Sequence, residues 1–310
     1  MRRLEDAPAG IGFADIHTPE PDENLLIAGH DRGWPGIIPD RLLAGCDGLW
    51  RWSGRHPPTI SGDTGQVPEP TIVLRRAGQR FRTEAPGRVT HHCFSFGDHY
   101  DAHNVSFSSL LVCNDDQLGA GAGYPDHPHR SVEIVTWVLS GSLVHADSDG
   151  NRGVIHRGDV QRMSAGSGVV HTERNDAYRI SADSGPRPAR FLQMWLRPDE
   201  PDGPVSYEQR GVQLDDLAGS WVPVVSGRHP DAMIRVGSTK STMWVTQLAP
   251  GVNRMLPEGD DLHLYVAEGG VQLENVGELE TGDSVRITGR APLKINGSDT
   301  ADIVVWTMTS

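Results

Sequence analysis

Two pairs of metal-binding residue types, each spaced i and i+2, are the features of this sequence that could carry chemistry. The first pair is His127 and His129, and the second is His171 and Glu173. In an extended strand, side chains two positions apart point to the same face. Two strands that direct these pairs into one barrel would place three imidazoles and a carboxylate around one point. That donor set suits a divalent first-row transition metal.

The sequence around the pairs indicates short β-strands joined by tight turns. Residues 133–139 are apolar and β-branched, Ser140-Gly141 is a two-residue turn signal, and residues 142–145 return as a strand. Further turn signals follow at residues 147–151 and 157–159, where Asp, Asn and Gly tolerate left-handed backbone. Such regular alternation favours an antiparallel barrel or sandwich, so we expect an all-β fold.

Composition narrows the functional classes. The chain has 310 residues and a formal charge of −13, which argues against direct nucleic-acid binding. Its three cysteines, Cys46, Cys93 and Cys113, have no CxxC spacing and fit a reducing cytoplasm. The N-terminus has no apolar secretory region, and the apolar run at residues 134–139 is too short to span a membrane. We therefore expect a cytoplasmic protein without membrane partners.

Three segments are expected along the chain. Residues 1–70 carry Pro, Gly and Asp clusters with little periodicity, and are interpreted as an N-terminal extension that is either partly disordered or an arm packed through its tryptophans. Residues 71–200 contain the paired motifs and form the first domain. Residues 201–310 repeat the strand rhythm faintly without paired histidines, which predicts a second, degenerate domain of related architecture.

These motifs resemble those of a known family. Residues 123–133 resemble the first cupin motif, in which HxH is followed by Glu, and residues 158–175 resemble the second. Together with residues 145–153 they are similar to the signature of the pirin family, specifically the bacterial pirin-like bicupins, over about residues 88–200. Two positions depart from the family pattern: Ser131 stands where pirins usually carry Gly, and Arg162 where they often carry an aromatic residue. We expect Arg162 to alter the mouth of the site.

The resemblance implies a bicupin fold of two antiparallel, jelly-roll-like β-barrels with one metal in the N-terminal barrel. It implies the ligands His127, His129, His171 and Glu173, with Fe(II) as the native metal; Mn, Ni, Cu and Zn also suit such donors. Some pirins act as quercetin 2,3-dioxygenases, and eukaryotic pirins are linked to transcriptional co-regulation.

The carboxylate ligand has two candidates, because Glu133 also follows the first pair. In cupins generally the Glu of the first motif often binds the metal, whereas in pirins the Glu of the second motif does. The resemblance therefore favours Glu173, which could also act as the catalytic base that takes the proton of a flavonol hydroxyl. His145 is interpreted either as a strand histidine in a hydrogen bond or as a support for a ligand. The upstream histidines His91, His92, His99 and His103 are a minor candidate for a second metal site, because the resemblance implies that pirin-like proteins do not use this segment for the metal.

Three functions remain open at this stage. The first is oxygen-dependent cleavage of a flavonol or related phenolic, with dioxygen as co-substrate. The second is a non-catalytic module whose iron oxidation state controls binding to an unknown protein partner. The acidic surface of the chain would favour a basic partner through charge complementarity. The third is a metal that serves folding alone.

Overall fold

The computed structural model describes residues 69–179, 185–290 and 292–309, and these residues confirm an all-β chain. The predicted extension, residues 1–70, lies outside the described residues except for its last two positions. One α-helix occurs in the described part of the chain, and no helix there has the length and apolar character needed to cross a bilayer.

Eleven strands precede residue 201: β1 (Thr71–Arg75), β2 (Phe81–Ala85), β3 (Arg88–His92), β4 (Leu110–Leu118), β5 (Gly123–His129), β6 (Glu133–Ser140), β7 (Ser142–Asp147), β8 (Arg152–His156), β9 (Asp159–Ser164), β10 (Val169–Arg174) and β11 (Ala189–Leu196). After residue 200 come β12 (Ser206–Gly211), the helix α1 (Leu214–Gly219), β13 (Val222–Ser226), β14 (Ile234–Arg235), β15 (Ser241–Leu248), β16 (Asn253–Met255), β17 (Asp261–Glu268), β18 (Gly270–Leu273), β19 (Gly277–Glu280), β20 (Ser284–Thr288), β21 (Lys294–Gly297) and β22 (Ala301–Met308).

The strands form four sheets, two of seven and two of four strands. The first seven-stranded and four-stranded sheets, built mainly from strands before residue 201, have the orders β12-β9-β6-β11-β4-β3-β2 and β5-β10-β7-β8. The other two, built mainly from strands after residue 200, have the orders β1-β20-β17-β22-β15-β13-β14 and β16-β21-β18-β19. Closure of each pair of sheets into a barrel, expected from the resemblance, stays a prediction.

Two strands, one from each segment of the chain, pair with a sheet that is built mainly from the other segment. Strand β1 pairs antiparallel with β20, so that Thr71 lies opposite Thr288. Strand β12 pairs antiparallel with β9, so that Gln209 lies opposite Gln161. The division into residues 71–200 and 201–310 stays a prediction, and each set of sheets takes one strand from the other segment.

The two faces of the first seven-stranded sheet cover different cores. Along β11, Leu192 and Met194 join a cluster shared with the other seven-stranded sheet, where the Trp306 indole nitrogen donates to the Met194 sulfur at 3.1 Å. Phe191 instead packs with Leu143 and Ile155 of the four-stranded sheet. Since side chains alternate along a strand, Gln193 and Trp195 share the Phe191 face. This inner face lies against β5, β10, β7 and β8.

A row of polar side chains crosses this inner face from strand to strand. Directly paired residues point to the same side of a sheet, and the register aligns Gln209, Gln161, Thr136, Gln193, Asn114 and His92. All but Gln209 are buried. We call these six residues the polar row. A buried polar row needs partners, and the four-stranded sheet opposite carries the metal-binding residue types.

Candidate metal centre

Strand β10 lies between β5 and β7, and its register brings the two motif pairs together. His171 lies opposite His127 on β5, and Glu173 lies opposite His145 on β7. The ladder with β5 is irregular between His171 and Glu173. The sequence places one i, i+2 pair on each of two neighbouring strands, and antiparallel pairing directs both to the same side.

Possible ligand atoms lie within 4.8 Å of one another in two overlapping groups. The first group contains His127, His129 and His171, whose ring centroids are 4.3 to 5.0 Å apart. The second contains His145, His171 and Glu173. The structure therefore brings together all four residues expected as ligands and adds His145, with His171 common to both groups.

Three atoms in this cluster are buried and have no hydrogen-bond partner: His129 Nε2, His171 Nε2 and Glu173 Oε1. An unsatisfied buried polar atom costs about 1–3 kcal/mol, so native structures keep few of them. Here the three atoms belong to residue types that bind transition metals. The two groups share His171, so a cation bound there would take up ligand atoms that otherwise have no partner, and the residues present fit the expected metal.

Burial keeps the imidazoles in the form that binds a metal. It lowers the pKa of His129 to about 3 and lowers the pKa values of His127 and His171. Neutral imidazole offers a lone pair at neutral pH, which metal binding requires. Burial raises the pKa of Glu173 to about 7, although a hydrogen bond from Gln193 acts in the opposite direction.

Hydrogen bonds determine which imidazole nitrogen is free. His127 Nδ1 lies 2.8 Å from the Pro125 carbonyl oxygen, an acceptor, so the hydrogen belongs on Nδ1 and the lone pair on Nε2. His145 Nε2 lies 3.2 Å from Asp147 Oδ2, so the neutral ring carries its hydrogen there and its Nδ1 accepts. The contact of 3.5 Å between His145 Nδ1 and His171 Nδ1 then assigns the donor role to His171 Nδ1. This leaves the His171 Nε2 lone pair unused, and His145 both takes a hydrogen bond and orients a candidate ligand.

Glu133 and Arg162 lie on the opposite face of the seven-stranded sheet. Glu133 accepts a hydrogen bond from Ser164 Oγ at 2.8 Å, and Arg162 Nε donates to the Arg235 carbonyl oxygen at 3.0 Å. The expectation that Arg162 alters the mouth of the site is wrong, because its side chain points between the two halves. The geometry favours Glu173 over Glu133 as the carboxylate ligand. Ser131, at φ 56°, turns the chain between β5 and β6, so the parity of the first pair does not extend to Glu133.

The upstream histidines lie in other surroundings. His92 contacts Thr83 and Asn114, with ring nitrogens 2.8 and 2.9 Å from their side-chain oxygens. His99 stacks on Phe81 with a centroid distance of 5.1 Å. Neither belongs to a group of possible metal ligands among the described residues.

Several residues at the cluster were not singled out from the sequence. Gln193 Nε2 donates to Glu173 Oε2 at 2.6 Å, the Trp195 ring meets the His129 ring edge-on at 4.8 Å, and Tyr207 stacks on His145 at 4.7 Å. The alternation Phe191-x-Gln193-x-Trp195 is a signal that could have identified the first two. A polar residue between two inward aromatic residues of a strand needs a partner inside the fold. Tyr207 gives no local signal, because its position depends on the exchange of β12.

Comparison with known proteins agrees with this geometry. The profile of the Pirin family matches residues 75–196. A Mycobacterium tuberculosis protein provisionally named a quercetin 2,3-dioxygenase is 41% identical over 239 residues, covering 77% of this chain and 95% of its own. An Escherichia coli protein named quercetin 2,3-dioxygenase is 29% identical over 236 residues, covering 76% of this chain and 97% of its own.

A solved structure gives the same result. The bacterial pirin of Escherichia coli in complex with nickel(II) superposes with a TM-score of 0.69 at 27% identity, covering 77% of this chain and all of that one. The ordered motifs, the paired sheets and the extent of these matches lead to one conclusion: this chain is a member of the pirin family.

Proposed function

We propose that this protein is a metal-dependent dioxygenase that cleaves a flavonol or related phenolic with dioxygen, in the manner of a quercetin 2,3-dioxygenase. The observation that carries the proposal is a pair of overlapping groups of possible ligands joined by His171, in which His129, His171 and Glu173 each have a buried ligand atom without a hydrogen-bond partner. The names of the relatives in Mycobacterium tuberculosis and Escherichia coli supply the substrate class.

The proposed ligands are His127, His129, His171 and Glu173. Three neutral imidazoles and a carboxylate suit Fe(II), and they also accept Mn, Ni, Cu or Zn; a solved relative contains nickel(II). When bound, such a metal supplies Lewis acidity, a template for substrate and dioxygen, and a path for electrons. A metal that takes five or six ligands would keep positions for small molecules beside these four residues, and such an open position separates a catalytic site from a closed structural one.

The protein's own groups would bind and deprotonate the substrate. Glu173 has one oxygen, Oε2, held by Gln193, while Oε1 has no partner. We assign to this carboxylate the acceptance of the flavonol hydroxyl proton, which makes the substrate an anion and activates its ring toward oxygen. His129, His171 and Glu173 are buried, whereas His127 is partly exposed, so we expect substrate to approach beside His127.

We also assign the domains, the cellular compartment and the class of substrate. Residues 71–200 form the metal-binding cupin domain and residues 201–310 the degenerate one, and the protein works in the cytoplasm on a small molecule. No protein partner is assigned.

Aerobic loss of quercetin, followed by its visible absorption, tests the proposal. Protein loaded with Fe(II), with metal content measured, is compared with Glu173→Gln, His129→Ala and a remote control, His103→Ala. We expect turnover by the wild type and the control, and its loss in the two site variants. Fully loaded wild-type protein that leaves quercetin intact would overturn the substrate assignment. Equal turnover by all four proteins would overturn the assigned site.

A further inference from the structure

Behind the candidate ligands, strand β11 presents Gln193 and Trp195 on the inner face of the seven-stranded sheet. The ligands themselves lie on β5 and β10 of the four-stranded sheet. Gln193 Nε2 donates to Glu173 Oε2 at 2.6 Å, and the Trp195 indole nitrogen donates to Gln193 Oε1 at 3.2 Å. All three side chains are buried. The second sheet therefore contacts the metal-binding carboxylate through a continuous hydrogen-bonded chain.

Only one orientation of the Gln193 amide satisfies both neighbours. The indole nitrogen of Trp195 is a donor only, and an ionised Glu173 carboxylate is an acceptor only. The amide oxygen must therefore face Trp195, and the amide nitrogen must face Glu173. Reversing the amide would set two donors against each other on one side and two acceptors on the other. By donating to the amide oxygen of Gln193, Trp195 keeps the amide nitrogen of Gln193 directed at Glu173.

This donor divides the two oxygens of Glu173. Oε2 is occupied by the amide, whereas Oε1 is buried and has no partner. A carboxylate held in this way offers Oε1 to a cation, and the hydrogen bond to Oε2 opposes rotation about the last side-chain bond. The same Trp195 ring meets the His129 ring at 4.8 Å with an angle of 79° between the planes. Trp195 therefore touches one candidate ligand directly and reaches a second through Gln193.

We propose that Gln193, oriented by Trp195, is a positioning residue that presents Glu173 to the metal through Oε1 alone. This inference rests on the metal site of the proposed function, but not on its substrate. Gln193 does not touch the metal or the reacting atoms and acts through Glu173. Hydrogen bonds that orient a ligand are generally worth about 10- to 100-fold in metal affinity.

The test measures Ni²⁺ affinity by competition with a coloured chelator, together with the visible spectrum of the Co²⁺-loaded protein. Gln193→Met keeps the length of the side chain but removes the donor, and Trp195→Phe keeps a ring against His129 but removes the N–H. Asn114→Leu is the matched control, because Asn114 belongs to the same polar row and its amide oxygen contacts His92 instead of a candidate ligand.

We expect Gln193→Met to weaken Ni²⁺ binding about 10- to 100-fold and to weaken the Co²⁺ absorption, since a carboxylate with two free oxygens raises the coordination number. Trp195→Phe should change both in the same direction by a smaller factor. Asn114→Leu should bind Ni²⁺ with an affinity within about twofold of the wild-type value, because Asn114 orients no candidate ligand. If Gln193→Met fails to fold, Trp195→Phe alone decides.

A double-mutant cycle separates positioning from general destabilisation. If Gln193 acts through Glu173, Gln193→Met has no further effect on Ni²⁺ affinity in the Glu173→Gln background. Wild-type affinity in Gln193→Met, or equal losses in both backgrounds, would overturn the inference. The expected affinities in a protein that leaves quercetin intact would overturn the proposed function only. A wild type that binds no metal would overturn both.

Discussion

Tyr207 stacks on His145, with ring centroids 4.7 Å apart and planes 25° apart, although the two residues belong to different segments of the sequence. Tyr207 lies on β12, beyond the predicted boundary at residue 200, and its hydroxyl donates to Gln209 Oε1 at 3.0 Å. His145 in turn contacts His171, a candidate ligand, at 3.5 Å. A strand from the far side of the boundary therefore covers one wall of the candidate metal centre.

Replacing Tyr207 should affect stability and metal binding separately. We expect Tyr207→Ala to lower the free energy of unfolding by about 2–4 kcal/mol, because a largely buried ring is removed. Tyr207→Phe, which loses only the hydroxyl bonds, should cost about 1 kcal/mol. Urea unfolding measures both, and Ni²⁺ affinity should fall in the alanine variant only. Equal affinities in the two variants would show that the stacked ring does not hold His145.

Metal should stabilise the folded chain through the histidine cluster. At a free Ni²⁺ concentration of 100 times Kd, binding to the folded state adds about 2.7 kcal/mol, and the midpoint of thermal unfolding rises. His171→Ala should abolish this increase, since His171 belongs to both groups of possible ligands. The exposed His103 provides the control, and His103→Ala should keep the increase. An unchanged increase in His171→Ala would contradict the assignment.

The departure of Ser131 from the family pattern should carry a measurable cost. Its φ of 56° is a left-handed conformation that costs a residue with a side chain about 1–2 kcal/mol, and glycine adopts it freely. Glycine also makes the unfolded chain more flexible, which offsets part of this gain. Ser131→Gly should therefore be more stable than the wild type by up to about 1 kcal/mol in urea unfolding. The control is Ser298, an exposed serine whose φ is not positive. Ser298→Gly should be less stable than the wild type by about 0.5–1 kcal/mol. Similar losses in both variants would contradict the strain at Ser131.

Asp115 should make stability depend on pH below neutrality. Burial alone would raise its pKa, but hydrogen bonds and charge from Arg190, with help from Tyr265 and Arg80, lower the pKa overall. A lowered pKa in the folded state means that its contribution is present above the unfolded pKa of about 4 and is lost as the pH falls through the folded value.

We therefore expect Asp115→Asn to cost about 3–5 kcal/mol at pH 7, because it removes the buried carboxylate that pairs with the partly buried Arg190 and Arg80. The difference from the wild type in urea unfolding should shrink as the pH falls below about 4. Asp149→Asn, at an exposed position, should show no such change. A difference that is constant from pH 7 to pH 3 would show that Asp115 contributes by shape alone.

The candidate ligands could be predicted because their geometry is local. Two residues at i and i+2 share a face in any strand. The two pairs then meet if their strands, β5 and β10, are neighbours in one sheet. The rule does not extend from His129 to Glu133, because the left-handed turn at Ser131 begins a new strand whose side chains alternate independently. For Gln193, the alternation with Phe191 and Trp195 indicates only that it needs a partner inside the fold. That the partner is Glu173 depends on β11 lying opposite β10, which local patterns do not show.

The exchange of strands could not be predicted from local patterns. Periodicity indicates that residues 71–75 and 206–211 are strands, but an edge strand pairs wherever the sheet offers free backbone groups. Strand β1 finds them on β20 and β12 finds them on β9. The predicted boundary near residue 200 therefore separates most strands of the two sets of sheets, but local patterns do not show that each set takes one strand from the other segment.

This exchange also sets an order for folding during synthesis. Strand β1, the first described strand to leave the ribosome, has no place in a sheet until residues 284–288 have been made. The first seven-stranded sheet can be completed as soon as residue 211 appears. The nascent chain can therefore assemble its candidate metal centre while β1 is still unpaired. Strand β1 can join its sheet only near the end of translation, after β20 has been made.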